Sequence, residues 1–402
     1  MRIKSLYAEK YRNINSAEIS FSDGVNLLFG KNGAGKTNVL EALYLFAICK
    51  SFRTNKETDF IMHGENCAHI SIKYSCDYEN DSDNLKKMSL SFSRSEKKKM
   101  SCEDVPITKI SEFIGRFRAV FFTPDHMSLV KGSPDERRRF ADMALSQIKP
   151  GYIKCLNEYM KILSQRNALL RAAKTGGYFD EALFSVYSEA LAGSAALITK
   201  QRAYFSEYLE KSASSFYAAI SGRDEKLFIH YLSSEKEDPK DTEKTKKRYL
   251  SLYNENIQSE IKYGATKYGP HKDDILFFIG RNKNKDAEFA AISKKENEDD
   301  VSEKTDAITE FAARTFASQG QQRSAVLSLK LAEGEIIKDL SGEYPVYLFD
   351  DVFSELDDER KKQLLSLFSN KQVIITCCNK NDFDGIQIRK KILAENGNYT
   401  EI

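Results

Sequence analysis

The stretch LLFGKNGAGKTNVLEAL, residues 27–43, carries the strongest local signal in the chain. It opens with an apolar run ending at Gly30, continues as GxxxxGKT through Gly35, Lys36 and Thr37, and passes into a helical pattern that runs to Ala47. A buried strand, a glycine-rich turn and a helix start in that order make a phosphate-binding loop. Glycine lets the backbone curl until N–H groups converge on phosphate oxygens, and the helix N-terminus adds a favourable dipole. Gly30, Lys31, Asn32, Gly33, Ala34, Gly35, Lys36 and Thr37 are therefore expected to bind ATP, with Lys36 at the β- and γ-phosphates and the Thr37 hydroxyl at Mg2+.

Far along the chain, YLFDDVFSELD (347–357) supplies the matching acids. A carboxylate at the end of a buried strand can hold Mg2+ directly or through water, which assigns Asp350 as a metal-site residue. Asp351 follows and is placed to polarise an attacking water, the one catalytic assignment. The competing reading, acids capping a helix, suits Asp357 better than a pair that directly ends an apolar run.

Between these motifs the pattern changes. The first part is strand-rich: IKSLYAEKYRNI and AEISFSDGVNLLFG alternate, HISIKYSC and KMSLSFSR form a hairpin around DYENDSDN, and AVFFTPD is a buried strand. From about Ser133 to Lys211 apolar residues recur three and four apart, broken at Gly176-Gly177, as in long helices. Residues 233–248 and 293–306 are so charged and poor in apolar residues that they read as exposed loops. The last hundred residues return to alternating strands and helices and end in a hairpin turning at Asn396-Gly397. The expectation is an α/β fold built by both chain ends around a mostly helical insert. Its segments are 1–124, the part of an ATPase head with the phosphate loop; 125–262, the insert; and 263–402, the rest of the head.

Composition sets outer bounds. The 402 residues suffice for two or three domains at roughly 150 each. A net charge of +2 gives no sign of nucleic-acid binding by itself, although a local basic face fits within a balanced total. Seven cysteines, scattered except for Cys377-Cys378 and without a CxxC pair, read as reduced thiols. The polar start MRIKSLYAEKYRNI lacks a signal core, and no uninterrupted apolar run nears the ~18 residues that span a bilayer, so a cytoplasmic location without membrane attachment is expected.

FASQGQQRSA (316–325) sets the class of ATPase. SQGQQ resembles the Ser-x-Gly-x-Gln signature of ATP-binding-cassette ATPases, with Ser318, Gly320 and Gln322 in the signature places and Gln319 and Gln321 between them. The resemblance implies an ABC-type head in which this helix start caps the γ-phosphate held by a second subunit. Ser354 and Asp357 of SELD would then lie in the loop that crosses the same dimer interface. The segments 30–54, 120–140, 159–171, 268–275, 317–323 and 348–360, in that order over nearly the whole chain, resemble the RecF family of bacterial recombination mediators; SFRT, QRNALL and GPHKDD are more specific than the phosphate loop.

The resemblance implies ATP and Mg2+ as cofactors, an ATP-dependent homodimer with slow hydrolysis acting as a switch, and binding to single-stranded, gapped or junction DNA. It also implies action with RecO and RecR in loading RecA, with links to replication and the SOS response. Candidate DNA-phosphate contacts are Lys50, Arg53, Arg137, Arg138 and Arg139, with Arg166 and Arg323 also weighed; Arg53 equally suits the nucleotide, and His271 reads as structural. Two features depart from the pattern. The segment after Gly280 is longer than expected, and the strand KQVIITCC lacks the histidine by which cassette ATPases sense the γ-phosphate, leaving Thr376 and Asn379 as stand-ins. Chromosome-organising heads need far longer arms, and a transporter subunit would need a membrane-coupling segment.

Overall fold

The computed structural model describes residues 1–76, 85–221, 225–234, 239–280, 310–355, 358–383 and 386–402. Asp357, the loop DYENDSDN and the acidic stretch 293–306 lie outside the described residues. The strands, in chain order, are β1 (Arg2–Tyr11), β2 (Ile14–Ser20), β3 (Val25–Phe29), β4 (Cys67–Ser75), β5 (Lys86–Ser93), β6 (Lys99–Cys102), β7 (Val105–Ile107), β8 (Ala119–Phe122), β9 (Lys226–Leu232), β10 (Asp274–Gly280), β11 (Glu310–Ala312), β12 (Val346–Asp350), β13 (Val373–Cys377), β14 (Lys390–Glu395) and β15 (Asn398–Glu401). The helices up to residue 263 are α1 (Lys36–Ile48), α2 (Ile110–Phe113), α3 (Ser128–Lys131), α4 (Pro134–Ile148), α5 (Tyr152–Lys174), α6 (Glu181–Ser221), α7 (Thr242–Glu255) and α8 (Ile257–Tyr263).

The chain divides into two compact units, Met1–His126 with Asp142–Asn157 and Glu333–Ile402, and Met127–Ala141 with Glu158–Ala332. The sequence boundaries at 124 and 262 follow motif content rather than compactness and stand as a proposal about head and insert.

The first unit contains two sheets. One is antiparallel in the order β2-β1-β4-β5-β6-β7; the other runs β15-β14-β3-β13-β12-β8, parallel except for β15. Helix α1 touches β5 of the first and β8, β12 and β13 of the second. That position explains its composition: every residue from Val39 to Ile48 is buried, so this helix has no polar stripe to present. Strand β3 lies between β13 and β14, and Asp350 of β12 pairs with Thr376 of β13. The phosphate loop and the acids therefore leave the same, carboxyl edge of the parallel strands, where open α/β sheets bind ligands.

The second unit packs α6 on β9 and α7, and adds an antiparallel sheet β11-β10-β9. Its interior holds a buried ion pair, Arg166 to Glu260 at 2.8 Å, both fully enclosed. Arg166 also donates to Ser188 and Thr266, and lies over the rings of Phe184 and Tyr253.

Two expectations change here. The charged stretch 233–248 is not all loop: α7 starts at Thr242, capped by the Asp241 carboxylate accepting from Lys244 N–H at 3.1 Å. Thr245, Tyr249, Leu252 and Tyr253 bury a helical face that the lysines and glutamates around it conceal in the sequence. The insert is also less purely helical than expected, because β9 and β10 pair within the second unit. Helix α6 carries an 18-residue window of mean hydropathy 1.3, apolar and long enough to cross a membrane, which a search for uninterrupted apolar runs passes over. Its Leu191, Ala192, Ala195, Ala196 and Ile198 are buried in the interior of the second unit.

Candidate nucleotide site

In the first unit a cavity of about 360 Å3 is lined by Asn32, Gly33, Gly35, Lys36, Thr37, Asn38, Arg53, Pro124, Asp350, Asp351, Thr376 and Cys378. The loop conformation needs its glycines. Gly33 and Gly35 have φ of 80° and 106°, in the left-handed region, and a Cβ on Gly30 would come within 2.2 Å of the Ala394 carbonyl oxygen. The Lys36 ammonium is buried and donates to the carbonyls of Gly30 at 2.6 Å and Lys31 at 3.0 Å. A desolvated cation held by neutral oxygens favours an anion beside it.

The acids converge on the same cavity. Asp350 Oδ1 accepts from Thr37 Oγ1 at 3.0 Å and from Thr376 Oγ1 at 2.7 Å. Burial pushes the Asp350 carboxyl above the usual range, against those two hydrogen bonds, which pull it down. Asp351 sits at φ 54°, unusual for a residue with a side chain, and its Oδ1 is enclosed without a hydrogen-bond partner among the described residues. Its N–H donates to Thr376 Oγ1 at 3.0 Å. Strain and an orphaned carboxylate oxygen together mark a site shaped for something other than stability.

The residues present fit Mg2+. Thr37 and Asp350 offer hard oxygens side by side, and magnesium at nucleotides takes one or two protein oxygens and completes its shell with water and phosphate. Among the described residues no cluster of three or more His, Cys, Asp or Glu could hold a metal alone, so this oxygen pair depends on the nucleotide for the remaining ligands. Thr376 is committed to the two acids rather than turned to a phosphate; Asn379 is exposed, and its Oδ1 accepts from Asn381 N–H at 3.1 Å.

Glu41, which the sequence did not single out, anchors the loop beside the cavity. It is fully buried in α1 and accepts from Tyr11 Oη at 3.1 Å, Arg12 at 2.7 and 2.8 Å, and Ser51 Oγ at 2.5 Å. Ser51 Oγ in turn accepts from the N–H groups of Arg53 and Thr54, which fixes the SFRT loop. Arg53 reaches the cavity, donating to Asn38 Oδ1 at 2.8 Å. The available signal was one carboxylate in the otherwise apolar run VLEALYLFAI.

The other candidates separate. Ser318 and Gln321 cap each other at the start of the helix Gln319–Ser341: Ser318 Oγ accepts from Gln321 N–H at 3.2 Å, and Gln321 Oε1 accepts from Ser318 N–H at 2.9 Å. Ser318, Gln319 and Gly320 are exposed, while Gln322 is buried and donates to the Ala313 carbonyl. The Ser354 hydroxyl donates to the Asp351 carbonyl.

Arg137 and Arg166 leave the set of DNA contacts. Arg137 is buried and grips Asp274 with two bonds of 2.7 and 2.8 Å, and Arg166 is enclosed with Glu260. Arg138 is mostly covered and bound to Asp135 and the Asp273 carbonyl, whereas Lys50, Arg139 and Arg323 are exposed. His271 is a half-buried structural histidine: its Nδ1 meets Tyr159 Oη at 2.5 Å, its Nε2 meets the Thr266 carbonyl, and burial lowers its pKa to about 4.

The family model described as the RecF/RecN/SMC N terminal domain matches residues 2–400. The DNA replication and repair protein RecF of Ruminiclostridium cellulolyticum is 37% identical over 403 residues, covering 100% of this chain and 98% of that protein. The protein of the same name from Bacillus subtilis is 34% identical over 392 residues, covering 97% of this chain and 96% of its own. Among solved structures, the recombination mediator protein RecF with ATP, described as part of the RecFOR pathway, superposes with a TM-score of 0.85 at 30% identity, covering 100% of this chain and 97% of that one. An Smc head domain from Pyrococcus furiosus, with a TM-score of 0.55, 15% identity and coverage of 100% and 96%, shares the fold alone. The architecture is thus the mixed α/β head of ABC-type ATPases with a helical insertion.

Proposed function

The chain belongs to the RecF family, within the RecF/RecN/SMC group, and from that premise we propose that it is an ATP-switched DNA-binding protein of replication and recombinational repair. In this reading it acts in the cytoplasm on single-stranded, gapped or junction DNA, together with RecO and RecR, to help load RecA, and it contributes to the SOS response. The observation that carries the reading is the coincidence in one cavity of the buried Lys36 ammonium, the Thr37–Asp350 pair and the strained Asp351.

Residues 30–37 hold the triphosphate: backbone N–H groups and Lys36 neutralise the phosphates, and Thr37 and Asp350 hold Mg2+, which when bound screens phosphate charge. Asp351 takes the attacking water's proton. Because its carboxylate is one methylene shorter than the glutamate of transporter cassettes, it places the water less well, in keeping with slow hydrolysis. Ser318 to Gln322, with Ser354 and Asp357, complete the site of a second copy, so ATP drives dimerisation. DNA is held mainly through its backbone, with Lys50, Arg139 and Arg323 as exposed candidates, so affinity falls with salt.

Sizing the protein by light scattering with and without ATP and gapped DNA tests the reading. The expected result is a monomer that becomes a dimer with ATP and binds DNA in that state. A monomer that ignores both ATP and DNA overturns it.

A further inference from the structure

The carbonyls of three successive loop residues are each tied from behind, and by segments far away in the sequence. Asn13, in the turn between β1 and β2, donates from Nδ2 to the Gly33 carbonyl at 3.2 Å. The Gly397 N–H, in the turn of the β14–β15 hairpin, donates to the Ala34 carbonyl at 3.2 Å. Tyr399 Oη, on β15, donates to the Gly35 carbonyl at 3.1 Å. The fit is close enough to constrain side-chain size. A Cβ on Gly35 would come within 2.6 Å of Tyr399 Oη and 2.9 Å of Asn13 Oδ1, and one on Gly397 within 2.5 Å of the Asn13 carbonyl oxygen. Asn13 is itself oriented by Asn38 Nδ2, which donates to its Oδ1 at 2.8 Å.

This arrangement has a chemical consequence. A peptide unit is planar, and none here is cis, so a carbonyl pinned on one side of the loop puts the next N–H on the other. Holding the Ala34 and Gly35 carbonyls from behind turns the N–H groups of Gly35 and Lys36 away from the hairpin, and both residues line the cavity. Lys36 holds the Gly30 and Lys31 carbonyls and the Val39 N–H also meets the Gly35 carbonyl at 3.2 Å; with the bonds from Asn13, Gly397 and Tyr399 the whole loop is ordered beforehand, and binding does not bear the entropy of fixing it.

We propose that Asn13 and the β14–β15 hairpin, through Gly397 and Tyr399, are a strut that positions the phosphate loop for nucleotide, without touching the nucleotide. The proposal rests on the reading of residues 30–37 as the ATP site. Its reach is specific: the strut acts on amides that serve the phosphates shared by ATP and ADP, so it sets the affinity for both alike.

The test is the affinity of the full-length protein for ATP and ADP, measured by calorimetry alongside the melting temperature without nucleotide, for Tyr399→Phe and Asn13→Asp. Tyr399→Phe removes one oxygen, and Asn13→Asp removes the donor while keeping the acceptor for Asn38. Tyr399→Phe is expected to weaken ATP and ADP equally, about fivefold, the effect of one lost hydrogen bond, and Asn13→Asp, which also adds a negative charge beside the loop, to weaken both by more, with little change in melting temperature in either. Asn13→Gln, which keeps the amide, is expected to recover more affinity than Asn13→Asp. Unchanged affinity in both Tyr399→Phe and Asn13→Asp overturns the strut while leaving the nucleotide reading intact, provided Lys36→Ala still abolishes binding. A loss confined to ATP also overturns it. Absence of nucleotide binding by the wild-type protein overturns the underlying reading instead.

Discussion

At the scale of single residues, the site is a set of side chains whose neighbours have already oriented them. Lys36 illustrates the consequence: buried and paired with carbonyls, it leaves a positive charge waiting for phosphate. Lys36→Ala is expected to reduce nucleotide affinity at least a hundredfold in a titration, because a charge-assisted contact in a desolvated pocket is lost. Thr376 offers a subtler case, since one hydroxyl both donates to Asp350 and accepts from the Asp351 backbone. Thr376→Val should leave Mg2+-free ADP binding unchanged and lower ATP turnover about tenfold, whereas Thr376→Ser should restore most of it; equal turnover in all three proteins contradicts a positioning role. Lys36 and the two acids were legible in the sequence, because motif spacing reports them. Thr376 was visible only as a stand-in sensor, because its two partners come from the neighbouring strand and the turn after it.

At the scale of elements, capping and burial decide which sequence signals survive. SQGQQ packs a serine, a glycine and three glutamines into five positions. Three of its five residues have local explanations: Ser318 and Gln321 cap the helix reciprocally, and Gln322 is a buried donor. The exposed Ser318 hydroxyl can still donate outward. Ser318→Arg is expected to abolish ATP-dependent dimerisation, read by light scattering, while monomer ATP affinity stays within a factor of two. It also removes a cap worth about 1 kcal/mol, so Ser318→Asn, which retains the cap, is the control that separates a stability loss from an interface loss. The same scale explains the missed helix. In α7 the lysines and glutamates outnumber the buried positions, and only Tyr249, Leu252 and Tyr253 reveal its face.

At the scale of the whole molecule, His271 and Asp273 sit in the second unit with pKa values moved by burial, and its response to acid follows from them. His271 has a folded pKa of about 4, lowered first by burial and then by the positive charges of Lys272, Arg138 and Arg202, with the Thr266 carbonyl opposing. An unfolded histidine titrates near 6.5, so between about pH 6.5 and 4 the unfolded chain binds the extra proton and stability falls as pH falls. The loss is at most about 3 kcal/mol by pH 4. Asp273, whose carboxyl burial raises, works in the opposite sense and blunts it. Hydrogen exchange followed by mass spectrometry from pH 7 to 4.5 should show protection lost around β9, β10 and α7 before β3, β12 and β13, and His271→Phe should flatten that dependence. A pH response identical in the two proteins would exclude the histidine as its source.

The α/β class, the strand, glycine-rich turn and helix of residues 25–48, the two acids that end an apolar strand, the helix starting at Gln319 and the terminal hairpin were legible in the chain itself. Each is specified by residues adjacent in the chain: a glycine spacing, an apolar run, an Asn-Gly turn. Tertiary structure decided what depends on residues brought together from afar. Arg137 and Arg166 read as surface cations until Asp274 and Glu260 enclosed them, because burial is a property of the packed chain and not of a run of arginines. Glu41 became the anchor of the SFRT loop only when Arg12 and Ser51 met it. Tyr399 met the Gly35 carbonyl only because sheet pairing set β15 beside β14, and β14 beside β3.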